Sequence, residues 1–171
     1  MNYFEFYDIP VKFNIDENAL KAKFYKIAKE NHPDFFVNDE EKYNTVLQIS
    51  SLNNEVYKCL SNFYLRAEYI LKISAIKFEE KLTPKFLFEM MEINESLEDL
   101  KVNYNDKKAI DITNEIEQIS IELQNELLQF TKSADMNETA EEVLFKKIKE
   151  NLQKHKYILR LKETLANIAA R

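Results

Sequence analysis

None of the 171 residues is glycine. A chain of this length ordinarily carries roughly a dozen. Glycine is the residue that reaches positive φ without a steric cost and lets a backbone approach a ligand closely. Its absence excludes the glycine-rich phosphate loop, the dinucleotide-binding fingerprint and the nucleophile elbow. Two-residue β-hairpins are disfavoured as well, because their turns rely on Asn-Gly or Asp-Gly. Only Pro10, Pro33 and Pro84 otherwise punctuate the chain, and 45% of the residues are apolar. The expectation is an all-α protein. Its helix ends must then find another residue for the left-handed cap, and Asn31, Asn62 and Asn103 are the candidates.

The remaining bulk properties narrow the function classes. The net charge of −6 gives no general attraction to nucleic acid or anionic membrane. Cys59 is the single cysteine, so neither an intramolecular disulfide nor a CxxC metal site can form. No apolar run approaches the ~18 residues of a membrane span. The N-terminus lacks the basic-then-apolar order of a secretory signal, so a cytoplasmic protein is expected. The histidines are His32 and His155. Neither belongs to the Glu-x-x-His pairing of di-iron bundles. No catalytic residue, bound cofactor or metal site is therefore expected.

Hydrophobic spacing divides the chain into helices. The aromatic segment Tyr3–Pro10 allows a short helix at most, since Pro10 stops it. Asp16 is a natural N-cap for a helix reaching Asn31, with Leu20, Phe24, Ile27 and Ala28 on its apolar stripe. Lys23, Lys26 and Lys29 recur at three-residue steps on another side. His32-Pro33-Asp34 ends this helix, because the residue before a proline is pushed out of the α region. From Asp39 a long helix carries Val46, Ile49, Val56 and Leu60, with Asn53 among them. An interruption near Ser61-Asn62 precedes a further apolar helix, including Leu65, Ala67, Tyr69, Ile70 and Leu71, that ends about Ser74. The charged run Lys77, Glu79, Glu80, Lys81 reads as a linker, and Thr83-Pro84 as an N-cap with proline at the first helical position. Three amphipathic helices follow. The second begins near Asp106 with Ile112, Ile116, Ile119, Leu123, Leu127 and Phe130. A polar break from Lys132 to Asn137 leads to the third, with Leu144, Ile148, Leu152, His155 and Leu159. His155 on that stripe reads as a core histidine. Short links make the three an antiparallel bundle.

The helix from Pro84 holds more apolar residues than one core face needs. Phe86, Met90, Ile93, Leu97 and Leu100 share a sector at ~100° per residue. Leu87, Phe88 and Met91 fall to one side, together with Glu92, Glu95 and Asp99. An apolar patch rimmed by carboxylates fits a partner surface; a helix buried on two sides fits the same pattern. Tyr157, off the core stripe of the last helix, is a further candidate for this surface.

A basic helix, His32-Pro33-Asp34 in the following loop and a long helix packing back resemble the J-domain of DnaJ-type co-chaperones. Tyr3-Phe4, Ile9-Pro10, Arg66-Ala67-Glu68-Tyr69 and the segment from Phe86-Leu87 to Glu92 extend the resemblance, over nearly the whole chain, to the HscB family of iron–sulfur cluster assembly. It implies a J-domain over residues 1–75, consisting of a helical hairpin plus short helices, a linker over 76–83, and a helical scaffold-binding domain over 84–171. It also implies two partners. Lys23, Lys26, Lys29, His32, Pro33 and Asp34 would meet an HscA-like chaperone of the DnaK type and stimulate its ATPase, ATP being bound by that chaperone. Leu87, Phe88, Met91, Glu92, Glu95, Asp99 and Tyr157 would hold an IscU-like scaffold. Neither nucleic acid nor membrane is among the implied partners. The chain departs from the J-domain pattern after the aspartate, where a basic residue is common and Phe35-Phe36 stands here. Phe35 is expected outside and Phe36 inside. The rival readings are a general J-protein for misfolded clients, which usually adds a glycine/phenylalanine-rich linker and a zinc module, and a helical adaptor with no chaperone coupling.

Overall fold

The structure, a computed structural model, describes residues 1–78, 81–136 and 141–170. Glu79 and Glu80 of the charged run, and Asn137 at the end of the polar break, lie outside the described residues. The fold is all-α: no strand occurs among the described residues. The chain divides into two compact units, Met1–Ala75 and Ile76–Arg171.

The first unit opens with α1 (Tyr3–Phe6), a single turn held by a capping box between Asn2 and Glu5. α2 (Glu17–Glu30) starts where Asp16 Oδ1 accepts the backbone N–H groups of Asn18 and Ala19 at 2.9 and 3.0 Å. A 3-10 turn over Pro33–Phe35 leads to α3 (Glu40–Ser61), capped by Asp39, and then to α4 (Phe63–Ile73), capped by Asn62. α2 and α3 pack as a hairpin. Leu20, Val46, Val56, Leu60, Ala67 and Ile70 form its dry interior, with Phe4 and Phe13.

Two polar side chains are buried inside this unit, and both are satisfied. Asn53 accepts the Tyr7 hydroxyl at 2.7 Å and donates to the Phe24 carbonyl at 3.1 Å, which ties the N-terminal segment and α2 to α3. The Arg66 guanidinium donates to the carbonyls of Phe13, at 2.8 Å, and Leu60. Tyr69 accepts the backbone N–H of Tyr3 at 2.9 Å and stacks on the Tyr3 ring at 4.2 Å. The segment Arg66-Ala67-Glu68-Tyr69 therefore works as a clasp on the start of the chain. Leaving such buried donors or acceptors unpaired would cost a few kcal/mol each.

The second unit contains α5 (Pro84–Glu89), α6 (Met91–Val102), α7 (Asp106–Asp135) and α8 (Glu141–Ala169). Thr83 caps α5 and Pro84 occupies its first turn. Phe86, Met90, Ile93, Leu97 and Leu100 are all buried, against Ile112, Ile116 and Leu123 of α7 and Ile158, Leu161, Leu165 and Ile168 of α8. The bundle thus has three helical arms, the first of them broken.

Four details differ from the sequence expectations. The helix from Pro84 is interrupted at Met90, whose ψ of −3° departs from the helical value. No proline marks the break; Asn94 holds it by donating to the Met90 carbonyl at 2.6 Å. α7 continues to Asp135 instead of stopping near Lys132, because a polar stretch with good helix formers need not break a helix already packed along one stripe. On α8 the core leaves the expected stripe after Leu152: His155 is half-buried, Leu159 is exposed, and Ile158, Leu161, Leu165 and Ile168 are buried. Repeated four-residue steps rotate by about 40° each, so a core face must alternate threes and fours to stay in register. Finally, Asn31, Asn62 and Asn103 are not left-handed caps; their φ values are −118°, −94° and −124°. Asn31 precedes the extended His32 and Asn62 passes extended into the next helix, so neither chain reversal needs positive φ. Among the described residues only Asp8 has it, at 49°. This is the one place where glycine would have fitted, and Asp tolerates the region.

Candidate partner-docking surfaces

The first surface lies at the joint between α2 and α3. Pro33 fixes its own φ and pushes His32 into an extended conformation, with φ −77° and ψ 125°. His32 then serves as N-cap of the 3-10 turn: its Nδ1 accepts the Asp34 backbone N–H at 3.3 Å. Asp39 closes the far side of the loop by donating its N–H to the Phe36 carbonyl at 3.0 Å. The His32 and Asp34 side chains project outward, and the Asp34 carboxylate stands 3.6 Å from His32 Nδ1. The loop thus presents an imidazole and a carboxylate on a short backbone tied by the bonds from Phe35 to His32 and from Phe36 to Pro33. Phe36 is half-buried and Phe35 exposed.

The basic face of α2 is redrawn. Lys26 and Lys29 are exposed, with Lys26 at 4.0 Å from Glu30. Lys23 is half-buried, and its ammonium donates to the Tyr7 and Asp8 carbonyls at the end of α1. That is a structural duty, so Lys23 does not stand out on the same face. Three-residue steps rotate by about −60° each, and two of them carry Lys23 well round the helix from Lys29. The positions four apart, Lys21, Tyr25 and Lys29, stay together, and Tyr25 is 58% exposed. Lys21 and Tyr25, which the three-residue spacing does not pick out, share this exposed face with Lys29; i, i+4, i+8 spacing is the signal that finds them.

The second surface is on α5 and α6. Leu87, Phe88 and Met91 are 45%, 76% and 52% exposed, while their neighbours Phe86, Met90 and Ile93 are buried. Of the two readings left open by the helix wheel, burial on two sides is removed within this unit. Glu92 and Glu95 are also exposed. Asp99 is exposed too but paired with Lys108, whose ammonium holds its carboxyl below the usual carboxylate range. Tyr157 lies at the edge of the core, half-buried. Its ring meets Phe86 edge-on at 5.6 Å, and its hydroxyl accepts the Asn94 side-chain amide at 2.8 Å. Because Asn94 also donates to the Met90 carbonyl, Tyr157 is tied through it to the break at Met90.

The described residues contain no His/Cys/Asp/Glu group able to hold a metal ion and no helix long and apolar enough to cross a membrane. Cys59 is half-buried, its thiol pushed up by burial.

Comparison with known proteins adds sequence and fold likeness. Residues 82–166 match the family model described as the HSCB C-terminal oligomerisation domain. The co-chaperone protein HscB of Buchnera aphidicola is 37% identical over 169 residues, covering 90% of this chain and 94% of that relative. The HscB homolog of Shewanella denitrificans is 28% identical over 173 residues, covering 98% and 97%. Among solved structures, chaperone HscB from Vibrio cholerae aligns with a TM-score of 0.71 at 25% identity, over 99% of this chain and 98% of that one. Human co-chaperone protein HscB aligns at 0.74 and 24% identity, over 97% and 81%, a likeness of fold.

Proposed function

The chain belongs to the HscB family of co-chaperones, and from that premise we propose that it couples an iron–sulfur scaffold protein to the ATPase of a DnaK-type chaperone. In this reading the first unit docks on an ATP-bound chaperone of the HscA kind. Lys26 and Lys29, with Lys21 beside them, steer the encounter with an acidic surface. Such steering weakens as salt screens it. His32 and Asp34, presented by the Pro33 turn, then engage the chaperone and speed its ATP hydrolysis. The chain itself needs no cofactor, since the nucleotide sits in the partner.

The second unit holds the scaffold, of the IscU kind. Leu87, Phe88 and Met91 supply the apolar contact, and Glu92 and Glu95 form a polar rim that favours one orientation of the partner. Asp99 sets that rim through Lys108, and Tyr157 braces it from the core side. Because one chain carries both surfaces, scaffold capture raises the effective concentration of scaffold at the chaperone. The compartment of this traffic is the cytoplasm.

The observation that carries the proposal is the exposed His32-Pro33-Asp34 turn at the α2–α3 joint of a chain with full-length HscB relatives. Single-turnover ATP hydrolysis by a DnaK-type chaperone tests it. Wild type is expected to accelerate the turnover and His32→Gln to abolish the acceleration with the fold kept, since His32 is exposed and caps only one 3-10 turn. Stimulation indifferent to a scaffold protein would favour a general J-protein, and no stimulation at all a non-chaperone adaptor.

A further inference from the structure

Phe35 follows Asp34 directly and is 70% exposed. A phenylalanine so placed contributes little to the core. Its backbone is nonetheless fixed: its N–H donates to the His32 carbonyl at 3.1 Å, and the next N–H, of Phe36, donates to the Pro33 carbonyl at 2.9 Å. Its ring lies 5.7 Å from the His32 imidazole, tilted by 58°. Two residues on, Val37 is exposed as well. Phe36, between them, is the one turned inward. The turn therefore presents an ordered aromatic ring against the side chain that triggers the partner.

Geometry decides what covers this ring. A standard protein–protein interface takes about 800 Å² from each partner, a disc of about 16 Å radius. A surface of that size centred near the exposed His32 therefore also covers a ring 5.7 Å away. Aromatic side chains near the centre of an interface are the usual anchors, with charged groups at the rim contributing steering. Lys26 and Lys29 fit the rim, and Phe35 fits the anchor.

We propose that Phe35 is an apolar anchor of the chaperone-docking surface, seating in an apolar recess of a DnaK-type chaperone beside the site addressed by His32-Pro33-Asp34. This rests on the chaperone-docking reading above and extends it to a residue outside the motif. It also states the chemistry of the partner: opposite Phe35 the chaperone presents an apolar surface, not an acidic one. Phe35 acts on docking, while His32 acts on the hydrolytic step.

The test is the half-maximal concentration and the maximal rate of chaperone stimulation for wild type, Phe35→Ala, Phe35→Leu, Phe35→Lys and His32→Gln. Phe35→Ala is expected to raise the half-maximal concentration about thirtyfold, the loss typical of an anchor truncated to alanine, with the maximal rate kept. Phe35→Leu should restore most of the affinity, and Phe35→Lys should be no tighter than Phe35→Ala. The ratio of wild type to Phe35→Ala should be the same at low and high salt, as apolar contact requires. An unchanged half-maximal concentration in Phe35→Ala, a fall in maximal rate alone, or tighter docking by Phe35→Lys would overturn the assignment. Wild type and His32→Gln separate the two levels. If wild type does not stimulate, the chaperone reading itself fails. If wild type stimulates, His32→Gln is silent and Phe35→Ala equals wild type, only the role of Phe35 fails.

Discussion

Phe86 and Phe88 are the same residue type two positions apart on one helix, and the structure gives them opposite fates. Phe86 is 4% exposed and Phe88 76%. Fully burying a phenylalanine side chain is worth roughly 1.5–3 kcal/mol. About three-quarters of that remains to be gained at Phe88 when a partner covers it, roughly 1.1–2.3 kcal/mol, or about 7- to 50-fold in Kd. The same scaling gives Leu87 and Met91, about half exposed, roughly 3- to 15-fold each. Truncating Phe86 instead opens a core cavity and costs about 3–5 kcal/mol of stability. The assay is a pair of measurements on each alanine variant: scaffold affinity by isothermal titration calorimetry and stability by urea unfolding. Phe88→Ala should lose the most affinity of the three exposed positions and keep its unfolding midpoint. Phe86→Ala should move the midpoint strongly. If Phe88→Ala destabilised the fold as much as Phe86→Ala, or left scaffold affinity untouched, the reasoning from exposure to partner contact would be refuted.

Three further outcomes follow from particular contacts. Arg66→Ala removes buried charged donors from the Phe13 and Leu60 carbonyls and should cost about 3 kcal/mol or more, read by urea unfolding. Tyr157→Phe deletes the hydroxyl that accepts from Asn94 and should cost about 1 kcal/mol by the same method. His155 is held below its ordinary value near 6.5 by burial first and by Lys162 second. The unfolded chain therefore takes up this proton before the folded one. His155 should contribute stability that is present above pH 6.5 and lost as pH falls from there toward the folded pKa. NMR titration of the imidazole should place its midpoint below 6.5, and His155→Gln should flatten that part of the stability profile.

Much of this molecule could be read from spacing and caps. Asp16, Asp39 and Thr83 start helices because their side-chain oxygens accept free N–H groups, a local event that sequence encodes directly. The separation of Phe86, Met90 and Ile93 from Leu87, Phe88 and Met91 was equally legible, since the break at Met90 is small enough to preserve the helical rotation. What resisted sequence reading depends on distant partners. Lys23 looks like its neighbours Lys26 and Lys29 until the end of α1 folds over it. The break at Met90 is held by Asn94, with Tyr157 from 63 residues away. The drift of the α8 core from Leu159 to Ile158 and Leu161 reflects accumulated rotation that a strict four-step stripe ignores. The lack of glycine excluded folds correctly, but it did not force asparagine into the left-handed region, because these helices leave through extended residues instead.

The central claim is that one chain links two partners, and its most direct test is ATP turnover by the chaperone with this protein alone, with the scaffold alone and with both. The account predicts a rate with both that exceeds the sum of the separate stimulations. It also predicts that Phe88→Ala removes this excess while leaving the stimulation by the protein alone, and that His32→Gln removes everything that depends on the protein. Strictly additive rates, with Phe88→Ala indistinguishable from wild type, would contradict it.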